Sequence, residues 1–237
     1  MQDGIAGRVA AQDWAALTAT LDAHGAAATG PLLTQAECMA VRAMWPEENA
    51  FRSRVVMARH GFGRGEYQYF GYPLPPLVGA LRRLLYPRLA AVANAWAVAL
   101  GEARRFPAEH AAFLATCHAA GQSRPTPLLL RYGPGDWNAL HQDLYGEQVF
   151  PLQVAILLSE PGREFQGGAF VLTEQRPRMQ SRPEVVDLRQ GEAVIFAVNR
   201  RPVRGARGVH GVTLRHGVSR LVGGERFTLG VIFHDAA

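Results

Sequence analysis

The stretch Ser123-Arg-Pro-Thr-Pro-Leu-Leu-Leu-Arg-Tyr132 divides the chain into two halves of different character. After its prolines come short runs rich in β-branched and aromatic residues: Leu128–Tyr132, Val149–Ser159, Ala169–Thr173, Val185–Leu188, Ala193–Val198, His216–Val222 and Arg226–His234. Glycine and proline turns separate these runs, and no helical pattern comes between them. Such spacing is typical of an antiparallel sandwich, barrel or jelly roll. The pattern therefore predicts a β core over residues 126–237.

The first half of the chain has mainly helical periodicity. Apolar residues recur at spacings of three and four from Trp14 onward, and again from Leu81 to Val92. Residues 51–70 break this pattern, because alternating residues and the glycines of His60-Gly-Phe-Gly-Arg64 predict two short strands around a loop. We therefore expect an α+β protein of one integrated domain, in which a helical region at residues 1–125, with a hairpin arm at 51–70, flanks the β core.

Composition sets broad limits on the class of protein. The chain is 48% hydrophobic and 19% charged, which is typical of a folded globular protein. It has no apolar run of the roughly 18 residues that a membrane span needs, and its N-terminus does not have the pattern of a secretory signal. Cys38 and Cys117 match no metal-binding spacing, which predicts two reduced thiols. We expect a cytoplasmic protein without a membrane partner, for which a monomer is plausible.

The basic residues indicate an anionic partner. All 25 are arginine, and the formal net charge is +5. Guanidinium groups pair with phosphate in a fixed fork geometry, so nucleic acid is a candidate partner. One segment interleaves guanidinium and aromatic groups, which suits phosphate contact combined with base stacking: Arg52, Arg54, Arg59, Arg64, Tyr67 and Tyr69. A solvated hairpin with a few buried rings would explain the same pattern equally well.

A metal site is indicated by His141-Gln142-Asp143 together with His216. Positions i and i+2 of an extended segment project from one face, so one metal ion could bind both His141 and Asp143. Two histidines and one carboxylate form the facial triad that selects non-haem Fe(II) and leaves coordination positions open. A closed structural zinc site would need a fourth protein ligand, usually with cysteine, and none is suggested.

The third ligand has one serious competitor, His210. It lies six residues before His216, in the glycine- and arginine-rich segment Arg204-Gly-Ala-Arg-Gly-Val-His210, which predicts a flexible loop. His216 instead opens an alternating run and has an arginine, Arg226, ten residues downstream. We therefore predict His216 as the ligand. Of the other histidines, only His60 is a candidate for contact with a substrate.

These motifs resemble those of a known superfamily. The pattern H-x-D followed by H-x-V-x2-[VL]-x2-G-x-R is similar to that of the 2-oxoglutarate/Fe(II) oxygenases, whose fold is a double-stranded β-helix, a relative of the jelly roll. The segment 131–143 resembles the R-Y-x-P-G-x4-L-H-x-D pattern of the AlkB nucleic-acid dealkylases. Segments 141–147, 170–182 and 215–220 most resemble a bacterial AlkB-like family predicted to act on damaged DNA.

The resemblance implies Fe(II) as cofactor, with 2-oxoglutarate and O2 as co-substrates. Arg226 would bind the far carboxylate of 2-oxoglutarate through two parallel charge-assisted hydrogen bonds. Thr228, on the same strand face, would add a hydroxyl donor. The resemblance further implies a role for the phenol of Tyr132, one strand earlier. The reaction it implies is oxidative dealkylation of nucleic acid.

Two departures from the AlkB pattern keep other functions open. Leu130 occupies the place of an asparagine, and Ile232 occupies the place of a second arginine. The interval between His216 and Arg226 instead resembles the prolyl-hydroxylase branch. Hydroxylation of a protein side chain or a small molecule is therefore the alternative reaction. A jelly-roll binding module without catalytic activity is the alternative from another class of protein.

Strand geometry adds a prediction about the segment between His216 and Arg226. If Gly223-Gly224 were a plain two-residue turn between two paired strands, these side chains would face opposite sides of the sheet. Both must line one pocket. We therefore predict an odd-length loop or a bulge near Val222–Glu225, which glycine permits.

Overall fold

The computed structural model describes residues 4–176, 178–206 and 208–237. The helices are α1 (Ile5–Ala10), α2 (Trp14–His24), α3 (Gln35–Ala43), α4 (Pro76–Ala99) and α5 (His110–Ala119). The strands are β1 (Ala26–Ala28), β2 (Phe51–Val56), β3 (Gly63–Arg64), β4 (Glu66–Phe70), β5 (Leu128–Tyr132), β6 (Trp137–His141), β7 (Leu152–Leu157), β8 (Phe165–Gly167), β9 (Phe170–Gln175), β10 (Arg182–Val186), β11 (Ala193–Ala197), β12 (Arg200–Gly205), β13 (Gly208–Val218), β14 (Leu221–Gly224) and β15 (Arg226–Val231).

Two antiparallel sheets form the β core. The larger sheet has the strand order β1-β11-β7-β15-β5-β4-β2. The smaller has the order β10-β9-β13-β6-β3, with β12 also paired to β13. The sheets face each other across aromatic contacts, such as that between Phe170 on β9 and Phe196 on β11, whose ring centroids lie 4.9 Å apart. The expected α+β fold with a double-stranded β-helix core is confirmed.

The helices pack on the larger sheet and share its core. Leu81, Leu85 and Leu89 recur at helical spacing along α4 and are fully buried. They belong to the same apolar cluster as Val154 and Ile156 of β7. Burial of one apolar stripe explains why this long segment forms a helix. Within the described part of the chain, no helix combines the length and the hydropathy that crossing a membrane requires.

The N-terminal half contributes more strands than its sequence pattern predicts. β1 pairs with β11 at the edge of the larger sheet, and β3 pairs with β6 in the smaller one. The hairpin at 51–70 is present as β2 and β4, but it is not a projecting arm, because β4 pairs with β5 and extends the larger sheet. The helical description of residues 1–125 is therefore incomplete.

The segment between His216 and Arg226 differs from the predicted hairpin. β13 belongs to the smaller sheet and β15 to the larger, so the two strands are not paired. The chain crosses between the sheets through β14, which pairs with β8. Its register is irregular between Leu221 and Gly223, where a bulge was predicted, but the irregularity lies in this pair and not between β13 and β15. Both side chains line one cavity because the sheets face each other, and not because of an odd-length turn.

A buried ion pair fastens the C-terminal segment to α4. Arg82 and Asp235 have 1% and 0% of their side chains exposed, and their Nη2 and Oδ1 atoms lie 2.8 Å apart. Arg82 Nε also donates to the carbonyl of Ile232 at 2.7 Å, and Tyr72 donates its hydroxyl to Asp235 at 2.8 Å. Although burial favours the neutral acid, Arg82 and the hydrogen bonds hold the pKa of Asp235 below its usual value.

Replacing Arg82 by methionine should lower the free energy of unfolding by about 3–5 kcal/mol, because it removes the buried cation of Asp235 and leaves only the half-exposed His118, whose Nε2 lies 2.9 Å from Oδ2. Urea denaturation followed by circular dichroism would measure the change. The double variant Arg82→Met/Asp235→Asn should recover much of the loss. A single variant as stable as the wild type would contradict the importance of this pair.

Two buried histidines predict a loss of stability in acid. Burial lowers the pKa of both His110 and His234 from the usual 6.5 to about 4. In the unfolded chain these imidazoles protonate near 6.5, whereas in the folded protein they stay neutral. The unfolded state therefore takes up more protons between pH 6.5 and 4. The free energy of unfolding is therefore not reduced by these two histidines above pH 6.5. It decreases as the pH drops from 6.5 towards 4.

This effect would be measured by urea denaturation at a series of pH values. The variant His110→Gln should show a shallower fall in unfolding free energy across that interval than the wild type. Tyr86→Phe is the matched control, because the Tyr86 ring lies against His110 with centroids 5.0 Å apart and its phenol does not titrate in that interval; it should leave the slope unchanged. Identical slopes for all three proteins would contradict the assignment.

Candidate metal centre and anion pocket

Three side chains that could hold a metal ion converge at the end of β6 and on β13. His141 and His216 are register partners in these strands, and their ring centroids lie 4.2 Å apart. Asp143 follows β6, with Oδ1 3.5 Å from His141 Nε2 and Oδ2 3.4 Å from His216 Nε2. One ligand atom from each residue lies within 4.8 Å of the others. The described residues contain no other such group of histidine, cysteine and carboxylate side chains.

Close backbone approach makes this convergence possible. A Cβ atom on Gly217 would lie 2.6 Å from the carbonyl oxygen of Asn138, so only glycine lets β13 approach β6 beside His216. Gln142, between His141 and Asp143 just after β6, donates its Nε2 to the carbonyl of Leu214 at 2.7 Å. That bond fixes the turn after β6 against β13. The carboxylate is thereby held on the same side as both imidazoles.

Hydrogen bonding and charge prepare these groups for a cation. His141 Nδ1 lies 2.7 Å from the carbonyl of Ala139, so the neutral ring carries its proton there and presents the lone pair of Nε2. Burial favours the neutral form of Asp143, but the neighbouring imidazoles of His141 and His216 hold its pKa well below the usual value. The site therefore contains a buried, ionised carboxylate beside two imidazoles. This donor set fits a non-haem Fe(II) ion.

His210, the competing histidine, lies far from this group. It is part of β13 rather than of a flexible loop, because it pairs with Val203 on β12. Its side chain is exposed, and it does not line the cavity that contains His216. The choice of His216 agrees with the geometry, while the loop assigned to His210 was wrong.

An arginine without a carboxylate partner lies in the same cavity, which has a volume of about 350 Å³. Arg226 is only 3% exposed, and its Nη1 donates to Thr228 Oγ1 at 2.6 Å. Its Nε has no hydrogen-bond partner within the described residues, and no carboxylate there forms an ion pair with it. Burial lowers its pKa to about 10, so the guanidinium remains charged at neutral pH. An uncompensated buried cation indicates an anionic ligand.

Tyr132 completes the anion pocket. It is the register partner of Arg226 on β5, and the guanidinium carbon lies 5.6 Å from its ring centroid. Its hydroxyl is buried and has no hydrogen-bond partner in the ranges that the structure describes. Burial raises the pKa of this phenol, so the hydroxyl stays protonated and can donate a hydrogen bond. Arg226, Thr228 and Tyr132 are therefore brought together, as the sequence predicted.

Two of the four arginines predicted to contact substrate are held by other groups. Arg52 donates Nε to the carbonyl of Pro125 at 2.8 Å and lies over the ring of Tyr69, 4.5 Å from its centroid. Arg54 pairs with Glu66. These two arginines have structural partners, which disfavours their role in substrate contact.

The other four predicted substrate residues are two exposed arginines and two tyrosines. Arg59 is exposed, and Arg64 has 63% of its side chain exposed, with Nε 3.7 Å from Asp136 Oδ1. Tyr67 lines the cavity. Tyr69 is nearly buried, and its ring contacts Tyr67 edge-on with the centroids 5.4 Å apart. Of the six predicted residues, Tyr67 alone reaches the cavity wall.

Sequence reasoning missed three cavity residues. Tyr145 donates its hydroxyl to Asp143 Oδ1 at 2.6 Å. Phe62 is 47% exposed at the cavity mouth, and its ring stacks on that of His60 with the centroids 5.3 Å apart. Gln153, on β7, lines the wall with its Oε1 unpartnered in the described structure. Only Tyr145 had a signal in the sequence, because it lies two residues after the carboxylate.

Comparison with known proteins places the chain in a family. Residues 65–236 match the model of a family described as an oxygenase catalysing oxidative methylation of damaged DNA. An uncharacterized protein of Mycobacterium tuberculosis, known from two strains, is 51% identical over 168 residues, which cover 71% of this chain and 72% of that protein.

Solved structures with a similar fold share little sequence with the chain. A 2-oxoglutarate/Fe(II) oxygenase family oxidoreductase from Burkholderia pseudomallei has a TM-score of 0.56 at 16% identity, covering 94% of this chain and 92% of that one. A Pseudomonas putida prolyl-4-hydroxylase has a TM-score of 0.54 at 16% identity, covering 94% and 100%. At these identities the likeness concerns the fold. The family match shows that the chain belongs to the family of oxygenases acting on damaged DNA. Together with the fold of the 2-oxoglutarate/Fe(II) oxygenases and the group of His141, Asp143 and His216, this match identifies the chain as a 2-oxoglutarate-dependent Fe(II) dioxygenase.

Proposed function

We propose that this dioxygenase removes alkyl groups from damaged nucleic acid by oxidation. His141, Asp143 and His216 hold Fe(II), and Arg226 holds the far carboxylate of 2-oxoglutarate. The observation that carries the proposal is the single cavity that contains both an ionised metal-binding triad and a buried guanidinium without a counter-charge. Burying the Asp143 carboxylate or the Arg226 guanidinium without an opposite charge costs free energy. A metal ion would neutralise the carboxylate, and the far carboxylate of a metal-bound dicarboxylate would neutralise the guanidinium.

The chain's own residues bind and orient the reactants. Arg226 and Thr228 lie on one strand face at a single end of the cavity, and the phenol of Tyr132 completes that end. Fe(II) and 2-oxoglutarate supply the oxidation of a substrate C–H bond by O2, with release of succinate and CO2. The apolar walls exclude water, which strengthens the ionic contacts within the cavity.

The cavity mouth supports a nucleic-acid substrate. Phe62 exposes its ring beside the opening, with His60 stacked on it, and a base could stack against this surface. Arg64 and Arg59 lie on the same segment, are exposed, and are available for phosphate contacts. The target base would have to enter the cavity unstacked, either from a single strand or by flipping out of a duplex.

Replacing Arg226 by methionine should abolish binding of 2-oxoglutarate while leaving the free protein as stable or more so, because it removes a buried unpaired charge. Thermal melting with Mn(II), with and without 2-oxoglutarate, would test this, since a bound ligand raises the melting midpoint. Arg131→Met is the matched control, because Arg131 is exposed and pairs with Glu225. This variant should keep the rise in melting midpoint that 2-oxoglutarate causes. A rise of wild-type size in Arg226→Met would refute the assignment.

The metal ligands can be tested with two histidine variants. His216→Ala should reduce succinate formation from 2-oxoglutarate and Fe(II) to background, because it removes one of three ligands. His210→Ala, on the same strand, should largely retain it. The opposite result would overturn the ligand assignment, and no succinate from the wild type with any substrate would favour a binding module without catalysis.

The substrate class requires a panel of candidate substrates. Formaldehyde release from N-methylated single-stranded and duplex oligonucleotides would be compared with hydroxylation of peptides and metabolites. We expect formaldehyde from at least one nucleic acid, and Phe62→Ala should raise the KM for it more than it lowers kcat. Turnover of a peptide without any formaldehyde from nucleic acids would favour the alternative protein hydroxylase.

A further inference from the structure

We infer that Tyr145 is a positioning residue that commits the Asp143 carboxylate to binding the metal through one oxygen. This inference rests on the proposed function, because it takes Asp143 as a metal ligand. It assigns a role to a residue outside the predicted site, and it explains how the site keeps coordination positions open.

The two carboxylate oxygens of Asp143 have different surroundings. Oδ1 accepts the Tyr145 hydroxyl at 2.6 Å and lies 3.5 Å from His141 Nε2. Oδ2 lies 3.4 Å from His216 Nε2 and accepts no hydrogen bond from outside the triad in the described residues. A hydrogen bond as short as that to Oδ1 is characteristic of an ionised acceptor and is stronger than one between neutral groups. Oδ1 is therefore engaged, and Oδ2 remains for the metal.

Binding through one oxygen matters for this kind of site. Carboxylates bind cations through one oxygen or through both. An Fe(II) ion held by two imidazoles and one carboxylate oxygen would keep positions open for the reactants. A carboxylate that bound through both oxygens would occupy one of these. The Tyr145 hydroxyl competes with that arrangement, because the metal would have to displace its hydrogen bond.

The Tyr145 side chain is held in place from several sides. Its ring contacts Tyr69 edge-on, with centroids 6.1 Å apart, and lies 6.0 Å from the ring of His234. It also packs against the apolar cluster that contains Ile232. Ile232 occupies the position of the second arginine in the AlkB pattern. This chain therefore has an apolar side chain that packs near Tyr145 where the AlkB pattern has a cation.

The backbone that carries Tyr145 is equally constrained. Gln122 is 1% exposed and donates Nε2 to the carbonyl of Tyr145 at 3.1 Å, while its Oε1 accepts from the amide of Gln148 at 2.6 Å. Gly146 has a φ of +117°, and a Cβ there would lie 2.5 Å from the Gln122 side chain. The loop is therefore pinned on both sides of the tyrosine, and the hydroxyl direction is fixed before a metal binds.

The test compares metal binding by full-length, metal-free protein under anaerobic conditions, with Co(II) as the probe. Tyr145→Phe removes the hydroxyl and keeps the ring. We expect the dissociation constant for Co(II) to rise about 10- to 100-fold, as is usual when a hydrogen bond to a ligand is lost. The ligand-field absorption of bound Co(II) should also change, because Asp143 becomes free to bind through both oxygens.

Tyr86→Phe is the matched control. Tyr86 is fully buried in α4, its hydroxyl has no hydrogen-bond partner in the described residues, and it does not line the cavity. Its variant should bind Co(II) as the wild type does. Circular dichroism and the melting midpoint of metal-free protein would compare the folds, and Tyr145→Met, which also lacks the hydroxyl, should reproduce the weaker binding.

The outcomes separate this inference from the proposed function. If Tyr145→Phe binds Co(II) with the wild-type dissociation constant and spectrum, the positioning role is overturned while the ligand assignment stands. If the wild-type protein itself binds no Co(II), the metal centre is overturned, and the role of Tyr145 falls with it. Weaker binding with an altered spectrum in Tyr145→Phe alone, against an unchanged Tyr86→Phe, supports the inference.

Discussion

Antiparallel pairing of β6 with β13 sets His141 opposite His216, and the chemistry of the site depends on that register. A slip of one residue would turn one imidazole to the outer face of the sheet, because strand side chains alternate. Gly217 permits the close approach of the two strands, and the bond from Gln142 to β13 holds the turn that presents Asp143. Local packing thus brings two imidazoles and a carboxylate together before any metal binds.

The cavity contains charges that the protein does not neutralise by itself. Arg226 is buried on the larger sheet without a carboxylate, and Asp143 is buried and ionised on the side of the smaller sheet. Elsewhere in the core, buried charges are paired, as Arg201 is with Glu174. Stability alone would disfavour unpaired charges, so their presence in one cavity is best explained by ligands of opposite charge.

The helical half supports the site through the C-terminal segment. Arg82 of α4 bonds to Asp235 and to backbone carbonyls beyond β15. Gln122 bonds to the Asp235 carbonyl at 2.7 Å and also to the carbonyl of Tyr145. The loop after Asp143 is therefore connected to the same buried network that fastens α4 to the larger sheet. Destabilising that network should disturb the metal centre as well as the fold.

The sequence by itself determined what depends on local pattern and residue type. Strand runs, helical periodicity, the H-x-D pair and the spacing from His216 to Arg226 were sufficient for the fold class and for the site residues that the structure brings together. Residue type and spacing carry this information because alternation and ligand chemistry are local properties.

The tertiary structure alone decided which groups have partners. Arg52 looked available in sequence, but Pro125, far along the chain, accepts its hydrogen bond. Arg226 and His216 share a cavity because two sheets face each other, a relation that a hairpin argument could not supply. The bond from Tyr145 to Asp143 needs a loop shaped by Gln122. Burial and pairing depend on residues distant in sequence, so no local pattern encodes them.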